Sequence, residues 1–188
     1  MKRLGSLLTL TVLLTAACTT SPPVPEAAAP AAPEAKPYAP LGRMMQAIPF
    51  PASNIIFDAQ STDPGAKPAE SGGAGATAQY SSVYGGWTAV ENAAMAIQET
   101  ANLLLIPGRT CMNGKPVPLD QEDFRKWTAD LATAGEAALK AAQSKNLDAM
   151  VDVAGTLSDA CAACHDKYRE TSDGTIAGRC TPTPAPAS

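Results

Sequence analysis

Three stretches of this chain place apolar or small residues at alternating steps of three and four, and that pattern commits most of the chain to packed helices. The first runs Trp87, Val90, Ala94, Ile97, Ala101, Leu104. The second runs Phe124, Trp127, Leu131, Ala134, Ala138, Ala141. The third runs Leu147, Met150, Ala154, Leu157, Cys161, Cys164, Tyr168. A narrow stripe at this spacing is the face that bundle helices turn to one another. Pro107-Gly108 predicts an end to the first helix near residue 106. Asp120, with Asp123 three positions on, predicts a cap for the second in a short-armed form of the capping box. Ser144-Lys145-Asn146 leaves room for a tight turn only, so the second and third helices should be antiparallel neighbours. Residues 41–59 read as a helix interrupted at Pro49 and Pro51. Residues 61–83, rich in Gly, Ser and Ala, read as a long crossing loop. Aromatic residues are only 5% of the chain and no stretch alternates convincingly, which disfavours a sheet. The expected fold is all-α, an antiparallel four-helix bundle.

The two ends have a different composition. Residues 1–17 carry Lys2 and Arg3 and then a short apolar run, Leu4 to Leu14, which is a secretory signal peptide in form. That run is too short for a membrane span of ~20 residues. Thr15-Ala16-Ala17-Cys18 resembles the lipobox of bacterial lipoproteins, and the resemblance implies cleavage before Cys18 and acylation of its thiol. Residues 18–40 are then a Pro/Ala-rich tether in which polyproline II is the favoured conformation. At ~3.1 Å per residue it reaches up to ~70 Å. The tail, 181–188, is similar, so 41–180 is the folded part. The protein is expected in the periplasm, held by lipid to a bacterial membrane. Thr19 stands where an Asp is the usual inner-membrane retention signal, which favours the outer membrane. Export also means an oxidising compartment.

With 18 acidic against 14 basic residues, formal charge −4, the chain has no call on nucleic acid, whose phosphates demand Lys/Arg clusters. A single His excludes a His-rich metal site. That one His lies in Cys161-Ala162-Ala163-Cys164-His165, which matches C-x-x-C-H, the attachment signal for c-type haem. On a helix these three side chains stand at i, i+3 and i+4 and share a face. Two thiols can bond to the haem vinyl groups while the imidazole ligates iron. The segment continues the core stripe, so one covalent haem c would be held between helices. Rival readings exist. A zinc site from Cys161, Cys164, Cys111 and Cys180 needs two distant cysteines to converge. A thioredoxin-like pair needs a βαβ setting that is absent. A 161–164 disulfide is awkward inside a helix. Cys111 and Cys180 are left over, and in an oxidising compartment they suggest a disulfide, which closes a loop of about seventy residues and contributes ~2–4 kcal/mol.

A four-helix bundle with C-x-x-C-H near its C-terminus resembles the class II c-type cytochromes, the cytochrome c′ group, over about residues 41–170. The following Asp166-Lys167-Tyr168-Arg169 resembles that family's C-H-x-x-aromatic-basic pattern. The likeness is strong in 157–169 and weak in the first helix. It implies His165 as the proximal ligand and Arg169 beside the proximal face; the other reading of Arg169 is a solvated cation favoured by the helix dipole. The family divides between five-coordinate proteins and six-coordinate ones with a Met on the first helix. Here Met44 and Met45 precede Pro51, and the resemblance points to Met45 as the distal metal ligand, with Met44 as the alternative and core filling as a third reading. Trp87, Phe57 and Trp127 are candidate walls for the haem or general core. Arg43 is a candidate partner for a haem propionate or a solvated surface cation.

No acid/base pair, nucleophile elbow or phosphate loop is recognisable, so no enzyme is expected. The expected function is single-electron transfer with redox partner proteins. The alternative is a five-coordinate protein binding nitric oxide or carbon monoxide. Cytochromes c′ are often dimers, and the resemblance leaves a homodimer open.

Overall fold

A computed structural model of the chain describes residues 34–66, 75, 80–169 and 180. The signal peptide, Cys18, the tether as far as 33 and the tail 181–188 lie outside the described residues. Six helices account for most of what is described: α1 Leu41–Ala47, α2 Pro49–Asp58, α3 Ser81–Tyr84, α4 Gly86–Leu104, α5 Glu122–Ser144 and α6 Leu147–Tyr168. Among the described residues there is no strand, only an isolated bridge between Thr110 and Pro116.

The first helix breaks where its prolines require. Ile48 leaves the helical region (φ −121, ψ −71), and Pro49 restarts the chain as the first residue of α2. Pro51 falls in the first turn of α2, where an amide hydrogen would have had no intrahelical partner anyway. The first long helix, α4, ends at Leu104, just short of the expected stop, and the Leu105 amide closes it onto Asn102 and Leu103. The start of α5 corrects the sequence reading. Gln121, not Asp120, holds the N-cap position, and no side chain caps the helix. Asp123 is employed elsewhere, as described below. The turn from α5 to α6 is tight: Lys145 adopts the left-handed conformation at φ 53, and the Asn146 side chain accepts from the Ala149 amide at 3.0 Å.

The long helices pack in sequence order, α4 along α5 and α5 along α6, with α2 laid on α4 and touching α6 only slightly. Their stripes bury Val90, Ala94, Ile97 and Leu104 from α4, Phe124, Leu131, Ala134 and Ala138 from α5, and Met150, Ala154 and Leu157 from α6. Alanines dominate the α4–α5 seam, and small side chains let two backbones approach closely. The approach is tightest at Gly135, where a Cβ would stand 2.8 Å from Gln98 Cγ and 3.0 Å from the Gln98 backbone nitrogen.

Cross-contacts fix which helix ends lie together. The Leu41 amide donates to the Thr110 carbonyl at 2.8 Å, joining the start of α1 to the loop between α4 and α5. Asp123, in the first turn of α5, accepts from Tyr168 Oη in the last turn of α6. One end of the bundle therefore gathers the start of α1, the end of α4, the start of α5 and the end of α6. The opposite end holds the α5–α6 turn and the contact of Gly65 with Trp87 at the start of α4. No described helix is long and apolar enough to cross a membrane.

Candidate haem-attachment site

The last two turns of α6 carry Cys161, Cys164 and His165. Helical geometry sets the three within one arc of about 100°, on the side of α6 that also buries Leu157 and Tyr168. Both thiols are free and half-buried, and both pack against the hydrophobic core. Burial raises both above the ordinary thiol range. Cys164 is pushed up to about 11, first by burial, then by Cys161 and the Asp123 charge. Cys161 is raised by burial alone. Both are therefore neutral S–H groups at neutral pH, which suppresses the thiolate chemistry of metal capture and disulfide exchange. His165 is lowered, first by burial and then by the Arg169 charge, with Asp166 opposing. It is a neutral imidazole at neutral pH, the form that ligates a metal. No described residue hydrogen-bonds its ring; the Arg169 amide donates instead to the His165 carbonyl, at 3.2 Å, closing the helix.

Around this triad the two helix ends are locked together. Tyr168 is buried, and its hydroxyl donates to Asp123 Oδ1 at 2.5 Å. Lys167 Nζ pairs with Asp123 Oδ2. These two hydrogen bonds, Lys167 first, hold the Asp123 carboxyl below the usual range. Burial, and then the Asp123 hydrogen bond, push the Tyr168 hydroxyl up to about 12. The Tyr168 ring meets Phe124 edge-on at 5.3 Å and Trp127 at 5.8 Å, geometries that aromatic quadrupoles favour. This lock is what sequence reasoning missed: Asp123 was legible as an acidic first-turn residue, but its partners lie 44 and 45 positions away.

The remaining candidates divide by place. Cys111 and Cys180 are bonded to each other, with Cα atoms 5.8 Å apart and both side chains buried. A four-cysteine zinc site is thereby excluded, and no group of three or more metal-binding side chains occurs among the described residues. Met44 is buried in the core, whereas Met45 is half-buried against it. Both belong to α1, at the bundle end that holds His165. Arg43 is exposed and donates to Gln46 on its own helix at 3.1 Å. Arg169 is exposed at the end of α6. Of the three aromatics, only Trp127 stands at the His165 end. Trp87 opens α4 and Phe57 lies in the last turn of α2, both toward the opposite end.

The donor set fits a c-type haem. Two uncharged thiols and one neutral imidazole share a helix face, while the other two cysteines in the described residues are spent on each other. Cys161 and Cys164 would hold the group through thioether bonds and His165 through its ring nitrogen. When bound, the haem would supply an iron able to change oxidation state or to take a small ligand.

A helical bundle with this constellation on its last helix is an arrangement suited to covalent haem. Residues 117–169, which take in α5, α6 and the C-x-x-C-H pentapeptide, match the family model described as Cytochrome C′. That stretch is similar to the class II c-type cytochromes. No curated protein and no solved structure matches the chain.

Proposed function

We propose that the chain is a monohaem c-type cytochrome that carries single electrons in the periplasm, tethered to the outer membrane through a lipid on Cys18, with Met45 as the distal ligand. The observation that carries the reading is the sorting of the cysteines. The C-x-x-C thiols stay free beside His165, and the other two close a disulfide. The family match over 117–169 supports the haem. The electron-carrier reading draws on the methionine pair in α1, since thioether ligation raises haem potential and suits electron transfer. Within that reading the haem is the whole of the chemistry, and the chain's task is to hold it, exclude water and present it to redox partner proteins.

Haem staining of a denaturing gel tests attachment. A band that keeps its haem is expected, and a haem lost to acid acetone would refute it. Met45→Ala and Met44→Ala then test the sixth ligand with separable readouts. Met45→Ala should turn the ferric spectrum high-spin, lower the potential and speed carbon monoxide binding, with a modest loss of stability. Met44 is 5% exposed, so Met44→Ala should cost ~2–5 kcal/mol of stability and leave the spectrum unchanged. A wild type already high-spin would make the protein a five-coordinate gas binder and end the electron-carrier reading. Cys18→Ser should release the protein from membranes into the soluble periplasmic fraction.

A further inference from the structure

Among the described residues one charged side chain is buried: Arg109, in the loop between α4 and α5, only 5% exposed. Its Nη1 donates to the Ala39 carbonyl at 2.7 Å and its Nη2 to the Leu103 carbonyl at 3.0 Å. Its Nε is buried without a partner. A guanidinium carries five N–H donors, so two carbonyls leave most of its capacity unused. Neither carbonyl brings a full charge. Leu103 lies in the last turn of α4, where the helix dipole offers partial negative charge at most. No carboxylate among the described residues forms an ion pair with Arg109. Burial alone lowers its pKa, with no neighbouring charge acting on it. A buried, uncompensated cation is costly, and proteins ordinarily pair such a group or expose it.

Beside Arg109 the surface has a hollow of about 160 Å³, walled by Pro37–Pro40 and Gly108–Thr110. Two of its wall residues, Pro37 and Pro40, have no amide hydrogen, and the cationic group in the wall is Arg109. The Leu41 amide, next along the chain, donates to the Thr110 carbonyl. We infer that Arg109 and this hollow receive a carboxylate group, the planar two-oxygen partner that a guanidinium fork accepts in bidentate fashion. Two sources have that chemistry. One is a propionate of the haem, since Arg109 stands at the bundle end that holds Cys161, Cys164 and His165; this source rests on the proposed function. The other is a small free carboxylate from solution.

The test uses the full-length holoprotein and the variants Arg109→Gln and Arg109→Lys. Sodium acetate is titrated against sodium chloride at fixed ionic strength while thermal unfolding is followed by circular dichroism. Resonance Raman spectra are compared at the propionate bending bands. If a propionate fills the site, the bending band of Arg109→Gln shifts from that of wild type, Arg109→Lys falls between, and acetate moves no melting temperature. If a free carboxylate fills it, acetate raises the wild-type melting temperature, Arg109→Gln loses the response, and the bending bands coincide. Identical bands together with no acetate response in wild type would overturn the inference. If Arg109→Gln does not fold, Arg109→Lys and the wild-type titration decide. Protein isolated without haem would count against the proposed function, and the acetate titration would still judge the Arg109 site.

Discussion

Adding a single methyl group at two glycines should move stability in opposite directions, and the difference reads out how closely α4 and α5 approach. Gly135 is buried in α5, and a Cβ there would stand 2.8 Å from Gln98 Cγ, 3.0 Å from the Gln98 nitrogen and 3.1 Å from Ile97 Cγ2. The nitrogen belongs to the α4 backbone, so no rotamer change relieves that contact, and the helices must separate. Overpacking of this kind costs ~1–3 kcal/mol, against a helix-propensity gain of ~1 kcal/mol for Gly→Ala. Gly135→Ala should therefore destabilise by about 1 kcal/mol net. Gly155, exposed in α6, has nothing within 4 Å of its Cβ position. Gly155→Ala should collect the propensity gain alone and stabilise by about 1 kcal/mol. The two variants should thus differ by roughly 2 kcal/mol, and the double variant should return near wild type, because distant sites add. Urea unfolding followed by far-UV circular dichroism measures this, with unchanged m-values expected. A Gly135→Ala protein as stable as wild type, or both variants moving the same way, would refute the close approach.

Three further outcomes follow from single features. Lys145 holds a left-handed conformation at φ 53 on an exposed turn; Lys145→Gly should stabilise by ~0.5 kcal/mol, the relief of strain exceeding the added freedom of the unfolded chain, as read by the urea midpoint. Cys111→Ser should destabilise by ~2–4 kcal/mol, because the bond it removes spans 69 positions, and covalent haem should be retained on the gel. Folding favours the ionised form of Asp123, whose carboxyl is held low by Lys167 and Tyr168. Its contribution is complete above the unfolded carboxylate value near ~3.9 and is lost as pH falls through the lower folded value. Trp127 fluorescence, sensitive to its contact with Tyr168, should therefore change below about pH 4, and Asp123→Asn should move that change.

The helices were legible because their stripes run for several turns, long enough for a period of 3.6 to stand out. Within α1 that signal fails. Seven residues make two turns, so Met44 and Met45, ~100° apart, cannot be phased from sequence, and only packing shows that Met44 turns inward. The start of α5 was misread for another reason. Asp120 and Asp123 carry the composition of a cap, but the Asp123 carboxylate has a stronger use across the bundle, with a cation and a buried hydroxyl from α6. Arg109 was opaque altogether. Its carbonyl partners are peptide groups, one of them 70 positions away, and peptide carbonyls carry no residue-specific signal.

The cysteines show how secondary structure can assign chemistry that composition leaves open. Four cysteines beyond Cys18 allow three complete pairings, and an oxidising compartment would drive any of them. Cys161 and Cys164 lie one turn apart on α6, and both are free. Cys111 lies in the loop after α4 and Cys180 lies beyond α6 in the chain, with their Cα atoms 5.8 Å apart. One pair is thus left free on a helix, and the other staples the loop after α4 to the chain beyond α6. Burial reinforces the division, since thiols raised as Cys161 and Cys164 are present little thiolate to an attacking disulfide. The same core face that makes α6 pack against its neighbours therefore holds the C-x-x-C thiols in their protonated form beside His165, whose pKa burial lowers.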